Sequence, residues 1–416
     1  MKSNQKHIQQ TKLSNGITLV VIENPTTEII AGRIFCRNAG SRWESPQTAG
    51  IFHLLASVMA KGTRNLSSLE IAEKVETIGA ALGTDTSSDY FLTSIKTVTD
   101  DFEPILDIAA EMLRYPSFPE QELELEKSIT LQNILSQKEQ PFNLAFSQLR
   151  EMMYGQHPYG FSILGTEKSV SSLTVEDLKQ CHQKHFRPDN VVISLAGKID
   201  LEQATLMVNK IFGDWENPDN AMESLVSIPV EAKSAYKKIE QQTQQSIIMM
   251  GYITPSMDSK DYPVLKLIST YLGNGLSSRL FVELREKRGL AYDVSAFYPT
   301  RLDKSQFVVY MGTAPANAEI GAEGLQAEIK RLREVTLSAE ELQTAKNKLL
   351  GQYALGKQTN SEFAQIFGWY ETLGVGIDYD RTFQDNINDI TVAQIREVAN
   401  KYLRDEFLCT SMVGPD

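Results

Sequence analysis

Residues 173–197 read LTVEDLKQCHQKHFRPDNVVISLAG, and residues 390–414 read ITVAQIREVANKYLRDEFLCTSMVG. The two segments align without a gap at an offset of 217 residues. Each pattern predicts a helix that begins after a threonine cap, followed by a short loop and a β-rich strand that ends in glycine. Matching patterns at this distance predict that the chain contains two copies of one structural unit.

A second pair of similar segments supports the duplication. Residues 118–123, FPEQEL, precede one long helical stretch, and residues 337–342, LSAEEL, precede another at an offset of 219 residues. Chance similarity of helix and strand patterns is the alternative explanation. Because the two pairs have nearly the same offset, we expect two homologous halves of about 200 residues each.

A polar stretch that contains proline separates the two copies. It begins at residues 214–220 with DWENPDN, a composition typical of a linker. We therefore predict an N-terminal half over residues 1–213, a linker over 214–235 and a C-terminal half over 236–416.

Strands and helices come in mixed order within the N-terminal half. Residues 17–22 and 29–35 have the pattern of neighbouring strands joined by a turn at Asn24-Pro25. Helical patterns follow at residues 50–61, 68–78, 101–113 and 119–139. This order predicts an α+β fold in which each half has a mostly antiparallel sheet with helices packed on one face.

The composition is that of a globular protein. The chain has 416 residues, of which 42% are hydrophobic and 23% charged, and its length corresponds to two to four domains. Lys and Arg number 41 against 53 Asp and Glu, which gives a net charge of −12 without any basic block. We therefore expect no nucleic-acid partner. No run approaches 18 apolar residues, so we also expect no membrane span.

The cysteines indicate a reducing compartment. Cys36, Cys181 and Cys409 are far apart, odd in number and without metal-ligand spacing. The opening residues 1–7, MKSNQKH, lead into polar sequence and not into the apolar segment of a secretory signal. Unless such a signal was removed beforehand, we expect the protein to be cytoplasmic.

Several short motifs resemble those of the insulinase/pitrilysin family, which includes the mitochondrial processing peptidases and their bacterial relatives. The matches are LSNGI at 13–17, GSRWE at 40–44, TAG at 48–50, KGT at 61–63 and LAG at 195–197. They cover nearly the whole chain in order. The resemblance implies the two-half metallopeptidase fold shared by LuxS and the processing peptidases, which agrees with the internal repeat.

Active members of that family bind Zn²⁺ through a His-x-x-Glu-His motif. Two histidines at i and i+4 share one helix face, and the glutamate between them is the general base for the metal-bound water. Aligned on residues 61–63, this chain has His53 at the first ligand position, Ala56 at the base and Ser57 at the second ligand position. The third ligand, a glutamate in the family, corresponds to Asn133. The resemblance therefore implies a zinc-free member.

The histidines that remain have two interpretations. His53 is either a packed or hydrogen-bonded histidine on an apolar helix or part of a residual or different metal site. His7, His157, His182 and His185 form no metal-binding pair. His182 and His185 are three residues apart, but the matching segment of the second half has no histidine, so we expect core or surface positions.

The second half contains a segment, LREKRGLAY at residues 284–292, that also resembles the family. In family members an arginine and a tyrosine seven residues apart reach the zinc site of the first half, and Arg285 and Tyr292 match them. A tyrosine O–H can donate to a developing oxyanion, and a guanidinium can hold substrate carbonyls. The structural alternative is a charged helix face followed by a strand tyrosine. Arg288 is the second candidate for the arginine role.

The stretch LGNGLSSRL at residues 272–280 lacks the context of a phosphate-binding loop. It is shorter than the glycine-rich loop of the non-catalytic mitochondrial subunit, so the resemblance is to the bacterial type.

These features together predict a zinc-free subunit of a heteromeric zinc metalloendopeptidase. The chain would hold no cofactor itself and would supply Arg285 and Tyr292 to a zinc-bearing homologous partner, in a heterodimer or larger assembly that cleaves peptides. A non-enzymatic peptide-binding or scaffold subunit, like the related core subunits of respiratory complexes, is the alternative. An independent peptidase is a third possibility, but no Ser/His/Asp or Cys/His set supports it.

Overall fold

The computed structural model describes residues 7–226 and 228–415, and the chain divides into two compact units. Unit 1 comprises Met1–Ile134, Ser162–Val226 and Leu355–Tyr379, and unit 2 comprises Leu135–Phe161, Ser227–Ala354 and Asp380–Asp416. Each unit therefore takes most of its residues from one predicted half and a shorter segment from the other.

Unit 1 is built on a six-stranded sheet. Its strands are β1 (His7–Lys12), β2 (Thr18–Glu23), β3 (Ile29–Arg37), β4 (Ala81–Thr86), β5 (Tyr90–Val98) and β6 (Val191–Gly197). They lie in the order β1-β2-β6-β3-β5-β4, and all neighbours are antiparallel except β2 and β6. Strand β6 is buried along its whole length, as its sequence VVISLAG predicts for a central strand.

Two strands that the sequence pattern joins as neighbours are separated in this sheet. The prediction that β2 and β3 pair across the turn at Asn24-Pro25 is wrong, because β6 lies between them and pairs with both. The apolar β6 is buried on both faces in this central position, which a direct β2–β3 hairpin would not provide.

Most helices of unit 1 pack on one face of its sheet. They are α1 (Ile51–Met59), α2 (Ser68–Thr77), α3 (Phe102–Arg114), α4 (Glu120–Glu139, in unit 1 up to residue 134), α6 (Glu167–Ser172), α7 (Val175–His185) and α8 (Leu201–Phe212). Buried side chains of α1 and α3, such as Leu55 and Leu106, join those of β3, such as Ile34, in one core. This arrangement matches the predicted α+β class.

A helix from the C-terminal part of the sequence, α12 (Asn360–Thr372), covers part of the opposite face of this sheet. Its Gly368 allows the close approach, since a Cβ there would lie 2.5 Å from the ring of Phe35 and 2.7 Å from Cβ of Ser194. A glycine at this helix position thus permits helix and sheet to pack in direct contact.

Unit 2 repeats this plan with five strands. They are β7 (Ala235–Glu240), β8 (Ser246–Thr254), β9 (Ala291–Phe297), β10 (Ser305–Thr313) and β11 (Cys409–Gly414). The order is β7-β11-β8-β10-β9, with only β7 and β11 parallel. This order corresponds to β2-β6-β3-β5-β4 of unit 1, which supports the predicted duplication.

The helices of unit 2 are α5 (Pro141–Tyr154), α9 (Tyr262–Gly273), a π-helical turn (Phe281–Glu286), α10 (Ala318–Glu334), α11 (Ala339–Leu355, in unit 2 up to residue 354), α13 (Tyr379–Asp389, in unit 2 from residue 380) and α14 (Val392–Tyr402). Helix α5 comes from the N-terminal part of the sequence. Its Leu149 and Met153 pack over Gly251 of β8, where a Cβ would lie 2.5 Å from the Met153 sulfur. A glycine on the strand again permits the contact.

The aligned segments that predict the repeat adopt the same structure. Thr174 caps α7 and Thr391 caps α14, and each forms a reciprocal capping box with the residue three positions later. Each helix is followed by a central strand, β6 or β11. The helix–strand prediction for both copies is confirmed.

Between α8 and β7 the described residues, 213–226 and 228–234, form neither helix nor strand. Of the helices in the described part of the chain, none is both long and apolar enough to cross a bilayer.

Candidate functional site

Helix α1 carries the residues that the sequence resemblance aligns with the family's zinc motif, and Glu44 sets where that helix begins. The Glu44 carboxylate accepts hydrogen bonds from the backbone N–H of Gly50 at 3.0 Å and of Phe52 at 3.2 Å. Burial raises the pKa of Glu44 to about 8, although the two N–H donors favour its charged form. Gly50 has φ 91°, a left-handed conformation that glycine adopts without steric cost.

The three motif positions on α1 do not offer zinc ligation. His53 is half-buried, and the methyl group of Ala56 is buried where the family has its general base. The Ser57 hydroxyl donates to the His53 carbonyl at 3.2 Å, so the helix backbone already occupies it. One imidazole and a bonded hydroxyl do not fit a zinc ion, which takes about three protein ligands in catalytic sites.

The electrostatic surroundings of His53 include two carboxylates. Burial lowers the pKa of the His53 imidazole, while Glu126 of α4 and Asp85 of the edge strand β4 oppose this shift. Glu126 forms an ion pair with Lys61 at 3.0 Å. Asn133, which the sequence resemblance aligns with the family's third ligand, is exposed on α4. Among residues 7–226 and 228–415, no group of three or more His, Cys, Asp or Glu side chains is placed to hold a metal ion.

The predicted arginine lies in unit 2, in the π-helical turn. Arg285 is exposed, with its guanidinium carbon 4.9 Å from the centre of the Phe281 ring. Arg288, the competing candidate, lies against α10, because a Cβ built on Gly324 would be 2.9 Å from its Nη1. The two arginines therefore differ in environment: Arg288 rests on a helix, whereas Arg285 rests on a single ring.

Tyr292 lies on β9, an edge strand of its sheet, and it is the extra residue of a β-bulge. Ala291 pairs with Thr313 and Asp293 pairs with Gly312, which leaves Tyr292 without a cross-strand partner. Its side chain is 55% exposed. Bulges of this kind re-aim a side chain out of the regular pleat. The Tyr292 phenol makes no hydrogen bond to any residue in the described ranges.

Buried contacts hold the bulge in place. The Thr313 hydroxyl donates to the Leu290 carbonyl at 2.6 Å, directly before the strand begins. The N–H of Gly289 donates to the Arg285 carbonyl at 3.1 Å, and Gly289 has φ 61°, a turn conformation suited to glycine. The chain from Arg285 to Tyr292 is therefore fixed by backbone geometry, while both side chains extend to the surface.

Sequence reasoning missed one residue near these positions. Glu44 lies in the GSRWE motif, but it anchors α1 through a buried hydrogen bond from the N–H of Gly50, six residues later. An acidic residue shortly before a helix was the available signal.

Comparison with known proteins supports the assignment of the fold and family. The family model described as "Insulinase (Peptidase family M16)" matches residues 19–167, and the model described as "Peptidase M16 inactive domain" matches residues 172–349. The first range contains His53, Ala56, Ser57 and Asn133, and the second contains Arg285 and Tyr292.

Bacterial relatives match the chain over most of its length. An uncharacterized zinc protease of Bacillus subtilis, YmxG, is 29% identical over 392 residues and covers 94% of each chain. An uncharacterized zinc protease of Rickettsia bellii is 25% identical over 99% of this chain and 98% of its own.

Two crystal structures have the same fold. One, a "peptidase M16 inactive domain" from Pseudomonas fluorescens, has a TM-score of 0.92 and 25% identity over 99% of this chain and 98% of its own. A protease from Helicobacter pylori has a TM-score of 0.93 over 99% of this chain and 100% of its own, and its 23% identity supports the fold alone. The two matched domains, the relatives that align over nearly their whole length and the shared two-sheet structure establish that the chain belongs to the insulinase family, peptidase family M16.

Proposed function

We propose that this chain is the zinc-free subunit of a heteromeric zinc metalloendopeptidase, and that it supplies Arg285 and Tyr292 to the active site of a zinc-bearing homologous partner. The observation that carries the proposal is the contrast between two sets of family positions. At the positions aligned with the zinc motif, the Ala56 methyl is buried, the Ser57 hydroxyl is hydrogen-bonded and the Asn133 amide is exposed. Tyr292, in contrast, lies on a bulge, and no described residue forms a hydrogen bond with its phenol.

The chemistry of the two retained side chains suits peptide hydrolysis in a partner's site. When water attacks a peptide carbonyl, negative charge develops on the carbonyl oxygen, and an O–H donor aimed at that oxygen stabilises the transition state. Tyr292 is such a donor, because no described residue occupies its phenol. The Arg285 guanidinium has donors in a planar fork, which can hold substrate carbonyls on either side of the scissile bond.

Zinc and the water-activating base would both belong to the partner, since Ala56, Ser57 and Asn133 at the aligned positions provide neither a base nor a full set of ligands. An extended peptide would add as a strand to a sheet edge of the zinc-bearing half, where main-chain hydrogen bonds give affinity with little dependence on sequence. The complex would therefore cleave peptides at the partner's metal, with this chain completing the site.

We place the complex in the cytoplasm on the evidence of its cysteines. Cys36, Cys181 and Cys409 are all free, and burial raises the pKa of each thiol. Three free cysteines without a disulfide suit a reducing compartment, where thiols are kept reduced.

Reconstitution with a zinc-bearing family member from the same organism tests the proposal. Gel filtration should show a complex, and an internally quenched peptide should be cleaved by the mixture but not by either chain alone. A chelator should abolish the activity of the mixture. If the zinc-bearing chain cleaves equally well without this chain, although the two form a complex, only the scaffold alternative stands.

A further inference from the structure

A buried threonine hydroxyl lies beside the bulge that presents Tyr292. Thr313, the last residue of β10, is fully buried and pairs with Ala291 at the point where the register with β9 shifts. Its Oγ1 donates a hydrogen bond to the Leu290 carbonyl at 2.6 Å. Strand pairing uses backbone groups alone, so this side-chain bond adds a constraint at the start of β9 that the ladder does not supply.

The backbone of Leu290 links this contact to the π-helical turn that carries Arg285. The Leu290 N–H donates to the Leu284 carbonyl at 2.9 Å, and the Gly289 N–H donates to the Arg285 carbonyl at 3.1 Å. Paired backbone bonds around a left-handed glycine are a common way in which a helical turn is closed. Leu290 is therefore bonded to the arginine's turn through its N–H and to β10 through its carbonyl.

Packing fixes one end of this segment and leaves its middle open. The Leu284 side chain is fully buried against α10, where a Cβ built on Gly324 would lie 2.9 Å from its Cδ2. A Cβ built on Gly289 would have no neighbouring atom within 4 Å, so packing does not hold the connection between the turn and β9 at that point. Since glycine also has the widest backbone freedom, the direction of the chain into Tyr292 depends on the hydrogen bonds at Leu290.

We infer that Thr313 is a positioning residue of the proposed site, and that its hydroxyl fixes Tyr292 at a set distance and direction from Arg285. The inference rests on the proposed function, because it concerns how these two side chains act together. Thr313 is buried, so it acts through Leu290 and not by touching substrate. Because Leu284 anchors the arginine's turn in the core, loss of the hydroxyl should displace the tyrosine and leave the arginine in place.

The kinetic test uses Thr313→Val, which replaces the hydroxyl by a methyl group of similar size. A displacement of about 1 Å can lower a rate about 100-fold, and since the strand pairs of β9 persist, we expect kcat of the reconstituted complex to fall about 10-fold. KM should stay within about 2-fold of wild type, because an oxyanion donor acts in the transition state and Arg285 is unmoved. Thr313→Ser keeps the O–H and should recover most of kcat.

A double-variant cycle shows whether the threonine acts through the tyrosine. In a complex that already carries Tyr292→Phe, adding Thr313→Val should change kcat less than about 2-fold, since no phenol O–H remains to be aimed. Thr372→Val is the matched control, because it removes a buried hydroxyl that donates to the Gly368 carbonyl at 2.7 Å on α12, and it should leave kcat unchanged. Losses that multiply in the double variant would assign Thr313 to a role apart from Tyr292 and overturn the inference.

Hydrogen exchange of the purified chain tests the contact without zinc, partner or substrate. The amides of Gly289 and Leu290 are followed by mass spectrometry of fragments that span residues 284–292. Their exchange should be about 10-fold faster in Thr313→Val than in wild type, because the segment opens more easily once a buried hydrogen bond is lost. Thr313→Ser should exchange like wild type. An unchanged exchange rate in Thr313→Val overturns the inference, whatever the turnover of the complex.

Circular dichroism checks that each variant is folded, and if Thr313→Val does not fold, Thr313→Ala takes its place in all three measurements. Faster exchange with undiminished kcat, in a complex that Tyr292→Phe does impair, overturns the positioning role while the proposed function stands. If Tyr292→Phe leaves turnover unchanged, the proposed function fails, and the positioning role falls with it even where exchange shows that the hydroxyl holds the segment.

Discussion

The side-chain amide of Asn24 donates a 2.6 Å hydrogen bond to the side-chain oxygen of Asn360, which lies 336 residues later in the chain. Asn360 also donates to the Thr27 hydroxyl at 3.1 Å and to the Ile29 carbonyl at 2.7 Å. Both asparagines are buried. This network joins the first residue of α12 to the connection between β2 and β3, and so holds a C-terminal helix on the N-terminal sheet.

Asn360→Ala should destabilise unit 1, because it leaves the Asn24 amide and the Ile29 carbonyl without partners in a buried place. Losses of this kind cost about 1–3 kcal/mol. Urea denaturation followed by circular dichroism should show a lower midpoint for this variant. Asn133→Ala removes an exposed asparagine and is the control. Equal midpoints for the two variants would mean that the network contributes nothing.

The purified chain should contain far less than one zinc ion per molecule after exposure to excess metal and dialysis. His53 provides one ligand where about three are needed, and the Ser57 hydroxyl is bonded to the helix backbone. Elemental analysis measures the content. Stoichiometric zinc that disappears in a His53→Ala variant would contradict the zinc-free assignment.

The triple variant Ala56→Glu, Ser57→His and Asn133→Glu should regain zinc affinity, since it restores the base and two further ligands beside His53. Each single change should fail, because one added ligand still leaves an incomplete site. Isothermal titration with zinc distinguishes them. A folded triple variant that binds no better than the parent would show that the alignment of these positions is wrong.

Tyr292→Phe should lower turnover of the reconstituted complex by on the order of 100-fold, the usual loss for one oxyanion donor. The change removes one O–H from an exposed ring, so folding and assembly should persist. Tyr236→Phe, on the opposite edge strand of the same sheet, is the matched control. Undiminished kcat in the Tyr292 variant, with complex formation verified, would remove the tyrosine from the site.

Arg285→Ala should raise KM and lower kcat together, because a contact that positions substrate acts before and during the reaction. Arg288→Ala should have the smaller effect, since the Arg288 side chain lies against α10 beside Gly324. Steady-state kinetics of the two complexes gives the order. The opposite order would transfer the arginine role to Arg288.

Acid should weaken the fold through His182. Burial lowers the pKa of His182 to about 4, and its Nε2 bonds to the Leu113 carbonyl at 2.8 Å. The His182 imidazole binds a proton near pH 6.5 in the unfolded chain but only near pH 4 in the folded chain. The free energy of unfolding therefore falls as the pH decreases from about 6.5 to about 4.

Substitution separates this contribution from other titrations. His182→Gln should reduce the loss of unfolding free energy between pH 7 and pH 4.5 by about 1–3 kcal/mol relative to wild type. Urea melts at the two pH values measure it, with His7→Gln on the edge strand β1 as the control. A wild-type loss that persists unchanged in His182→Gln would show that this histidine does not contribute.

Local sequence patterns were sufficient to predict several helices and strands. Threonine caps, helical periodicity and β-rich runs at an offset of 217 residues predicted α7 with β6 and α14 with β11, and the structure confirms both pairs. The alignment of His53, Ala56 and Ser57 with the zinc motif also uses only neighbouring residues, but it stays a prediction. These features depend on neighbours a few residues apart.

Which segments lie next to each other depended on packing between distant parts of the chain. Helix α12 packs in unit 1 through contacts such as that of Gly368 with Phe35, and α5 packs in unit 2 over Gly251. Strand β6 lies between β2 and β3, where it is buried on both faces. The bulge that exposes Tyr292 arises from pairing with β10, not from the composition of β9. Side-chain periodicity specifies a helix or strand locally, whereas strand order and bulges follow from packing between residues that are distant in sequence.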